Sequence, residues 1–263
     1  MLKRLWLYDE GTAPTLRCDE VARFLDHTVA GLEPGCRGDF ITHWRPGGDQ
    51  SEGGLAADIA RTKVTVFSAR EARDPLPGEI EYERRRLGNQ NRGPLGIDYE
   101  GFEFQALLAE LVRGREVEAM HVVFTNRLLV TWQADDRAYH RRTIICGAPC
   151  IISTSGLVEA PARPREFYAA RQALGLGDAA GGVAYEALKQ QFAGRFLDHD
   201  DERLTEVAKG YALQAVAYYL TGEPFCGNPC CRLYNAHWQE EMLAAQLGGQ
   251  LCEHHQELFK VPR

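Results

Sequence analysis

Residues Phe225–Phe259 read FCGNPCCRLYNAHWQEEMLAAQLGGQLCEHHQELF. Within this stretch Cys226 and Cys231 are separated by four residues, Cys252 and His255 by two, and twenty residues lie between the pairs. Two short hooks of thiol and imidazole ligands, joined by a spacer long enough for one helix, are the sequence form of a closed tetrahedral zinc site. The spacer places Trp238, Met242, Leu243, Leu247 and Leu251 on one side, which predicts a helix, with Asn235 positioned to cap its start. Such a helix returns the second hook to the first. Counting alone leaves Cys230 as an alternate for Cys231 and His254 as an alternate for His255, and His237 is a further candidate. Free buried thiols beside a solvent-facing His-His pair would leave unexplained why four cysteines crowd into 27 residues. A redox dithiol fits less well, since no Cys-x-x-Cys spacing occurs. One structural zinc ion is expected, and four protein ligands leave it no open position for water or substrate.

Working outward, Glu202–Leu220 carries Leu204, Val207, Tyr211, Ala215 and Tyr219 at spacings of 3, 4, 4 and 4, a helical apolar stripe. Helices are also predicted over Arg165–Leu174 and Val183–Phe196. The middle is β-rich: Met120–Phe124, Leu128–Trp132, Thr143–Cys146 and Cys150–Ser153, with connections short enough to require antiparallel or mixed pairing. The opening alternates strand and helix. Leu5 to Tyr8, Asp39–Trp44 and Lys63–Ser68 read as strands, and Cys18–Ala30 and the stretch around Leu55, Ile59 and Ala60 as helices. Residues 70–99, punctuated by proline and glycine, read as an exposed excursion with one strand at Ile80–Arg85. The fold class is therefore α/β (α+β), a mixed sheet with helices over residues 1–200, followed by a helical zinc-binding segment over 201–263 packed on it as one unit.

The chain has 263 residues, 44% hydrophobic and 25% charged, with a formal charge of -7. That balance gives no general attraction to phosphate backbones, and the tail sets Arg232 against Glu240, Glu241, Glu253 and Glu257, so nucleic acid is not an expected partner. No run approaches the ~18 apolar residues of a membrane span. The first ten residues build no secretion-signal core, and a cytoplasmic location is expected. Cys18, Cys36, Cys146 and Cys150 read as small buried apolar residues, with a disulfide as the alternative.

The tail resembles that of the archaemetzincin zinc metallopeptidases, in which a helix bearing HExxHxxGxxH runs into a cysteine, with further cysteines holding a second, structural zinc. Setting Cys226 on that first cysteine puts Ala215, Val216, Tyr219, Gly222 and Phe225 where the motif has His, Glu, His, Gly and His. Only the glycine is kept. The resemblance therefore implies a metzincin-like architecture with Cys226, Cys231, Cys252 and His255 as structural hooks. It also implies loss of metzincin-type proteolysis, because neither Ala215 nor Val216 can ligate a metal or act as a base. Thr125-Asn126-Arg127, Tyr139-His140-Arg141 and Glu159–Glu166 are similar to segments of uncharacterised archaeal proteins labelled as metallopeptidases.

Chemistry displaced to other positions has a few candidates. Asp198 to Glu202 with Glu206 offers oxygen and nitrogen donors including His199, although an acidic helix start capped by Asp200 or Asp201 explains the same residues. Arg127, Asp135, Asp136, Arg137, His140, Arg141 and Arg142, followed by Glu159, Arg163, Arg165 and Glu166, could form a cleft in which arginine forks clamp a carboxylate or phosphate and His140 with Asp136 serves acid/base roles, or simply pair with one another. The expected function is a metallopeptidase-like scaffold binding a peptide or protein partner. The alternative is a metal-dependent hydrolase using displaced ligands near His140 or His199, with Glu159 and Glu206 as further catalytic candidates.

Overall fold

A computed structural model of the chain describes residues 2–45, 49–70, 74–88, 96–176 and 182–260, without the side chains of residues 49–52. Its elements run β1 (Arg4–Asp9), α1 (Cys18–Thr28), β2 (Glu33–Arg37), α2 (Phe40–Trp44), α3 (Asp49–Arg61), β3 (Lys63–Val64), α4 (Pro77–Gly88), β4 (Asp98–Glu100), α5 (Gly101–Val112), β5 (Ala119–Thr125) and β6 (Leu128–Gln133). They continue with β7 (Ala138–Arg142), β8 (Ile144–Ile145), β9 (Cys150–Ser153), α6 (Thr154–Glu159), α7 (Arg165–Ala173), α8 (Val183–Gln191), α9 (Leu204–Thr221), α10 (Gln239–Gly248) and α11 (Glu253–Lys260). The fold is mixed α/β as expected, with two mixed sheets in place of the one expected.

The larger sheet has the order β2-β1-β5-β9-β8, parallel except for the edge strand β8. Period-two alternation divides its side chains between two cores. Leu5, Leu7, Val122, Phe124 and Ile152 face α1 and α9, where Val21, Leu25, Val207 and Val216 meet them, joined by Met242 of α10 and Phe259 of α11. Tyr8, Val123 and Ile151 face the opposite way onto Phe40 and Trp44 of α2, Ile59 of α3 and Phe104 of α5. Covered on both faces, β1 and β5 are almost continuously apolar, as buried parallel strands must be. The smaller sheet has the order β3-β4-β6-β7.

A buried set of charges pins the sheets together. Arg127, between β5 and β6 and 3% exposed, reaches Glu10 at 3.0 Å and Glu83 of α4 at 3.4 Å. Glu83 also holds Lys63 of β3 at 2.7 Å and the hydroxyl of Tyr99 of β4 at 2.8 Å. Burial would raise the Glu83 pKa, but the facing Arg127 and Lys63 outweigh it and keep the carboxyl below its ordinary range.

Several local expectations are corrected by capping and pairing. Asp39–Trp44 is a helix start instead of a strand, because the Asp39 carboxylate accepts the Thr42 N–H at 2.6 Å; the strand lies earlier, at β2. Ile80–Arg85 belongs to α4, where the Glu79 carboxylate accepts the Leu76 N–H at 2.8 Å and Glu81 pairs with Arg84 and Arg85 one turn on. Residues 70–99 are therefore not one exposed loop: Glu83, Arg86 and Leu87 are buried. Helix α10 starts at Gln239 without help from Asn235; the Glu241 carboxylate reaches back to the N–H groups of His237 and Trp238 at 3.2 and 3.3 Å. At α9 neither Asp200 nor Asp201 caps; Asp201 instead accepts from the Arg203 N–H and guanidinium. Cys18, Cys36, Cys146 and Cys150 are free thiols that pack in or against the apolar core as expected, the Cys18 and Cys36 sulfurs lying 2.7 Å apart and the Cys146 thiol hydrogen-bonded with that of Cys150. Among the described residues no helix is long and apolar enough to cross a membrane.

Candidate metal centre and the adjoining cleft

Both hooks are shaped by backbone before any ion is considered. The first begins where α9 ends. Gly222 closes that helix in the left-handed region, at φ 81°, a conformation that costs glycine little. The chain then turns so that the Cys226 N–H donates to the Leu233 carbonyl at 2.8 Å and the Asn235 N–H to the Cys226 carbonyl at 3.2 Å. Between them the Cys231 N–H donates to the Asn228 carbonyl at 2.9 Å, and the Asn228 N–H lies 3.4 Å from the Cys226 sulfur. The second hook is the entry to α11, where Cys252 and His255 fall one turn apart. The Arg232 N–H, donating to the Gln250 carbonyl at 2.7 Å, ties one hook to the other.

The result is a compact Cys3His group. Ligand atoms of Cys226, Cys231, Cys252 and His255 all lie within 4.8 Å of one another. Cys226 Sγ is 3.8 Å from Cys252 Sγ, and His255 Nδ1 is 3.6 Å from Cys231 Sγ and 3.1 Å from Cys252 Sγ. Bonds of about 2.0–2.3 Å to a central ion give tetrahedral edges of roughly this length. The donor set itself, three thiols and an imidazole with no carboxylate, suits a borderline-soft cation. The alternates stand apart from it. Cys230 is exposed, with its N–H bonded to Asn228 Oδ1 at 2.9 Å; His254 is exposed and meets His255 ring to ring; His237 is exposed beside the cleft described below.

The metzincin-motif positions have a different environment. Ala215 and Val216 are fully buried in the apolar core, and Tyr219, one turn on along the same face and close to the helix end, is 47% exposed. The predicted apolar stripe therefore stops short of Tyr219, and α9 is buried on nearly every side through Ala217.

What α9 does present to a cavity is Tyr211, Gln214 and Tyr218. They line a cleft of about 500 Å³ between α9, the Pro224–His237 segment and the rim formed by β7, Thr143 and β8. Phe102 and Phe225, 58% and 41% exposed, line the same cleft. Burial pushes the Tyr211 hydroxyl up to about 12, against a hydrogen bond from Thr143 that favours ionisation. The sequence signal for this surface is Gln214 and Tyr218, four apart on α9, together with Arg142.

The remaining candidates separate into pairs. His140 Nε2 lies 3.0 Å from Asp136 across the exposed β6–β7 turn. Glu159 and His199 do meet, at 3.6 Å, with Arg141 at 3.5 Å and Arg163 at 3.9 Å from the same carboxylate. The hydrogen bond from His199 and the two guanidiniums hold Glu159 below the usual carboxylate range despite its burial. Glu206 is elsewhere, gripped by Lys209 and Arg232, while Asp198 pairs with Lys189. Among the described residues, the group of metal-capable side chains that converges is the Cys3His cluster.

A model of the Probable metallopeptidase family (DUF6775) matches residues 1–261. The chain belongs to that family. No curated protein and no solved structure matches it. Membership in the probable metallopeptidase family together with the Cys3His cluster supports a metal-binding protein.

Proposed function

We propose that this family member holds one structural zinc ion at Cys226, Cys231, Cys252 and His255, lacks metzincin-type proteolysis, and uses the cleft beside α9 to bind an extended peptide or protein segment. The observation that carries the reading is the side-chain set on α9. Two motif positions of the archaemetzincin resemblance are aliphatic and buried, and the third is a surface tyrosine, so no ligand pair and base share a helical face. The zinc ion would be enclosed by its four ligands and serve to join α9 to α10 and α11. Exposed aromatic rings beside an open sheet edge suit an extended chain laid along that edge.

The alternative is a metal-dependent hydrolase with displaced ligands, and the meeting of His199 with Glu159 is the observation in its favour. Metal stoichiometry separates the two. We expect one zinc per purified chain, retained against a mild chelator, with no hydrolysis of generic peptide substrates. Two ions per chain, one of them removed together with a peptidase activity, would overturn the scaffold reading.

A further inference from the structure

The cleft contains a guanidinium without a counter-charge and an amide oxygen without a donor among the described residues. Arg142 donates to Thr131 Oγ1 at 2.7 Å and to Gln133 Oε1 at 3.4 Å, both neutral, and no carboxylate among the described residues pairs with it. Its neighbour Arg141, on the opposite face of β7, holds both Asp98 and Glu159. Burial without a counter-charge lowers the Arg142 pKa, a penalty that an incoming anion would remove. Gln214 is 1% exposed, and its Oε1 has no hydrogen-bond partner, while its Nε2 makes only a 3.5 Å contact with the Tyr234 carbonyl. A buried amide oxygen in that state is an acceptor for an arriving N–H.

The rim beside these groups is an open edge. The Ser153 N–H donates to the Thr143 carbonyl at 2.9 Å, which turns Thr143 toward β9. By strand alternation the N–H and C=O of Ile144 then point away from β9, to the unpaired side of the sheet. The rim does not stop at Arg142, because β7 continues it through Arg141 to His140; at Tyr139 the edge is taken, its N–H donating to the Phe67 carbonyl at 2.9 Å. A strand lying along Ile144 can therefore run past the arginine, which favours a side chain over a chain end as the group placed there.

We propose that the cleft selects an extended peptide segment carrying an aspartate or glutamate side chain, with the Arg142 guanidinium receiving the carboxylate and Gln214 Oε1 accepting a peptide N–H. This rests on the peptide-groove reading of the cleft. Charge-assisted pairing gives direction and selectivity, since a neutral amide at the same place leaves the guanidinium without its counter-ion.

The test uses the full zinc-loaded chain and fluorescein-labelled Val/Thr-rich peptides with blocked ends: one with a central glutamate, one with glutamine there, and a glutamine peptide with a free C-terminal carboxylate. Fluorescence anisotropy should show the glutamate peptide binding about tenfold or more tightly than its glutamine counterpart. Arg142→Gln should abolish that preference, Arg142→Lys keep part of it, and Gln214→Leu weaken both peptides alike. Equal affinity of the native protein for the glutamate and glutamine peptides would overturn the Arg142 assignment and leave the groove intact. Preference for the free C-terminus over the central glutamate would overturn the choice of a side chain. Absence of binding by all three would remove the groove and this inference together.

Discussion

The Cys3His cluster and the charge network around Arg127 both fasten distant parts of the chain, yet they do so by opposite means. At the C-terminal hooks, soft donors from two chain segments converge within 4.8 Å and would crowd like partial charges together in the absence of a cation. Around Arg127, cations and anions alternate, so Glu10, Glu83, Lys63 and Arg127 neutralise one another without any added component. The first fastening would depend on the proposed ion, which the solution must supply. The second depends only on ionisation, and it is the more expensive to desolvate.

Breaking the first should have the larger effect. Cys252→Ser is expected to release the metal and to melt α10 and α11, with a loss on the order of the ~10 kcal/mol that a structural zinc site contributes to a small fold. Metal analysis and far-UV circular dichroism check it together. Native metal content and native helicity in the variant would count against the cluster as a metal centre. Next, Arg127→Met removes the guanidinium shared by Glu10 and Glu83, leaving Glu10 with Arg86 at 3.6 Å and Glu83 with Lys63 at 2.7 Å, and should cost about 3 kcal/mol in urea unfolding while metal content stays unchanged. A cost below about 1 kcal/mol would show that the network relaxes to solvent.

The smallest effect sharpens the contrast by pH. The folded-state pKa of Glu83 is lowered, so its contribution is fully present above the ordinary glutamate value and is lost as the pH falls through the folded value. Tyrosine near-UV circular dichroism, which reports on Tyr99 against Glu83, should therefore hold from neutrality to about pH 4.5 and decline only below it. A transition complete by about pH 5 would assign the acid sensitivity to another group.

The two fastenings also differ in how far they could be read from the sequence. The candidate metal hooks are local in sequence, four and two residues wide, so spacing points to Cys226, Cys231, Cys252 and His255 with Cys230, His254 and His237 as alternates, and it is the first four whose ligand atoms the fold brings together. Arg127 lies 117 residues from Glu10 and 44 from Glu83, and an ion pair carries no spacing rule at that range. Its role could not be counted out. Buried strands such as β5 and β9 were legible because apolar runs bounded by turns leave few choices. Helices α2 and α4 were missed where single capping contacts, from Asp39 and Glu79, overrode a weak alternation. The cleft was hidden for a related reason: it joins β7 and β8 to α9 and the hook segment, surfaces that only the tertiary fold brings together.

One contact described only by its cores has a bearing on how the chain is made. Phe259 of α11 is buried against the same core as Leu25 and Val29, and its carbonyl accepts the Ala30 N–H at 2.8 Å, just past the end of α1. During synthesis Ala30 leaves the ribosome long before its partner exists, so the first βαβ unit emerges with one flank uncovered. Sealing that flank must wait for α11 to be translated, so until then the nascent chain offers apolar surface to chaperones.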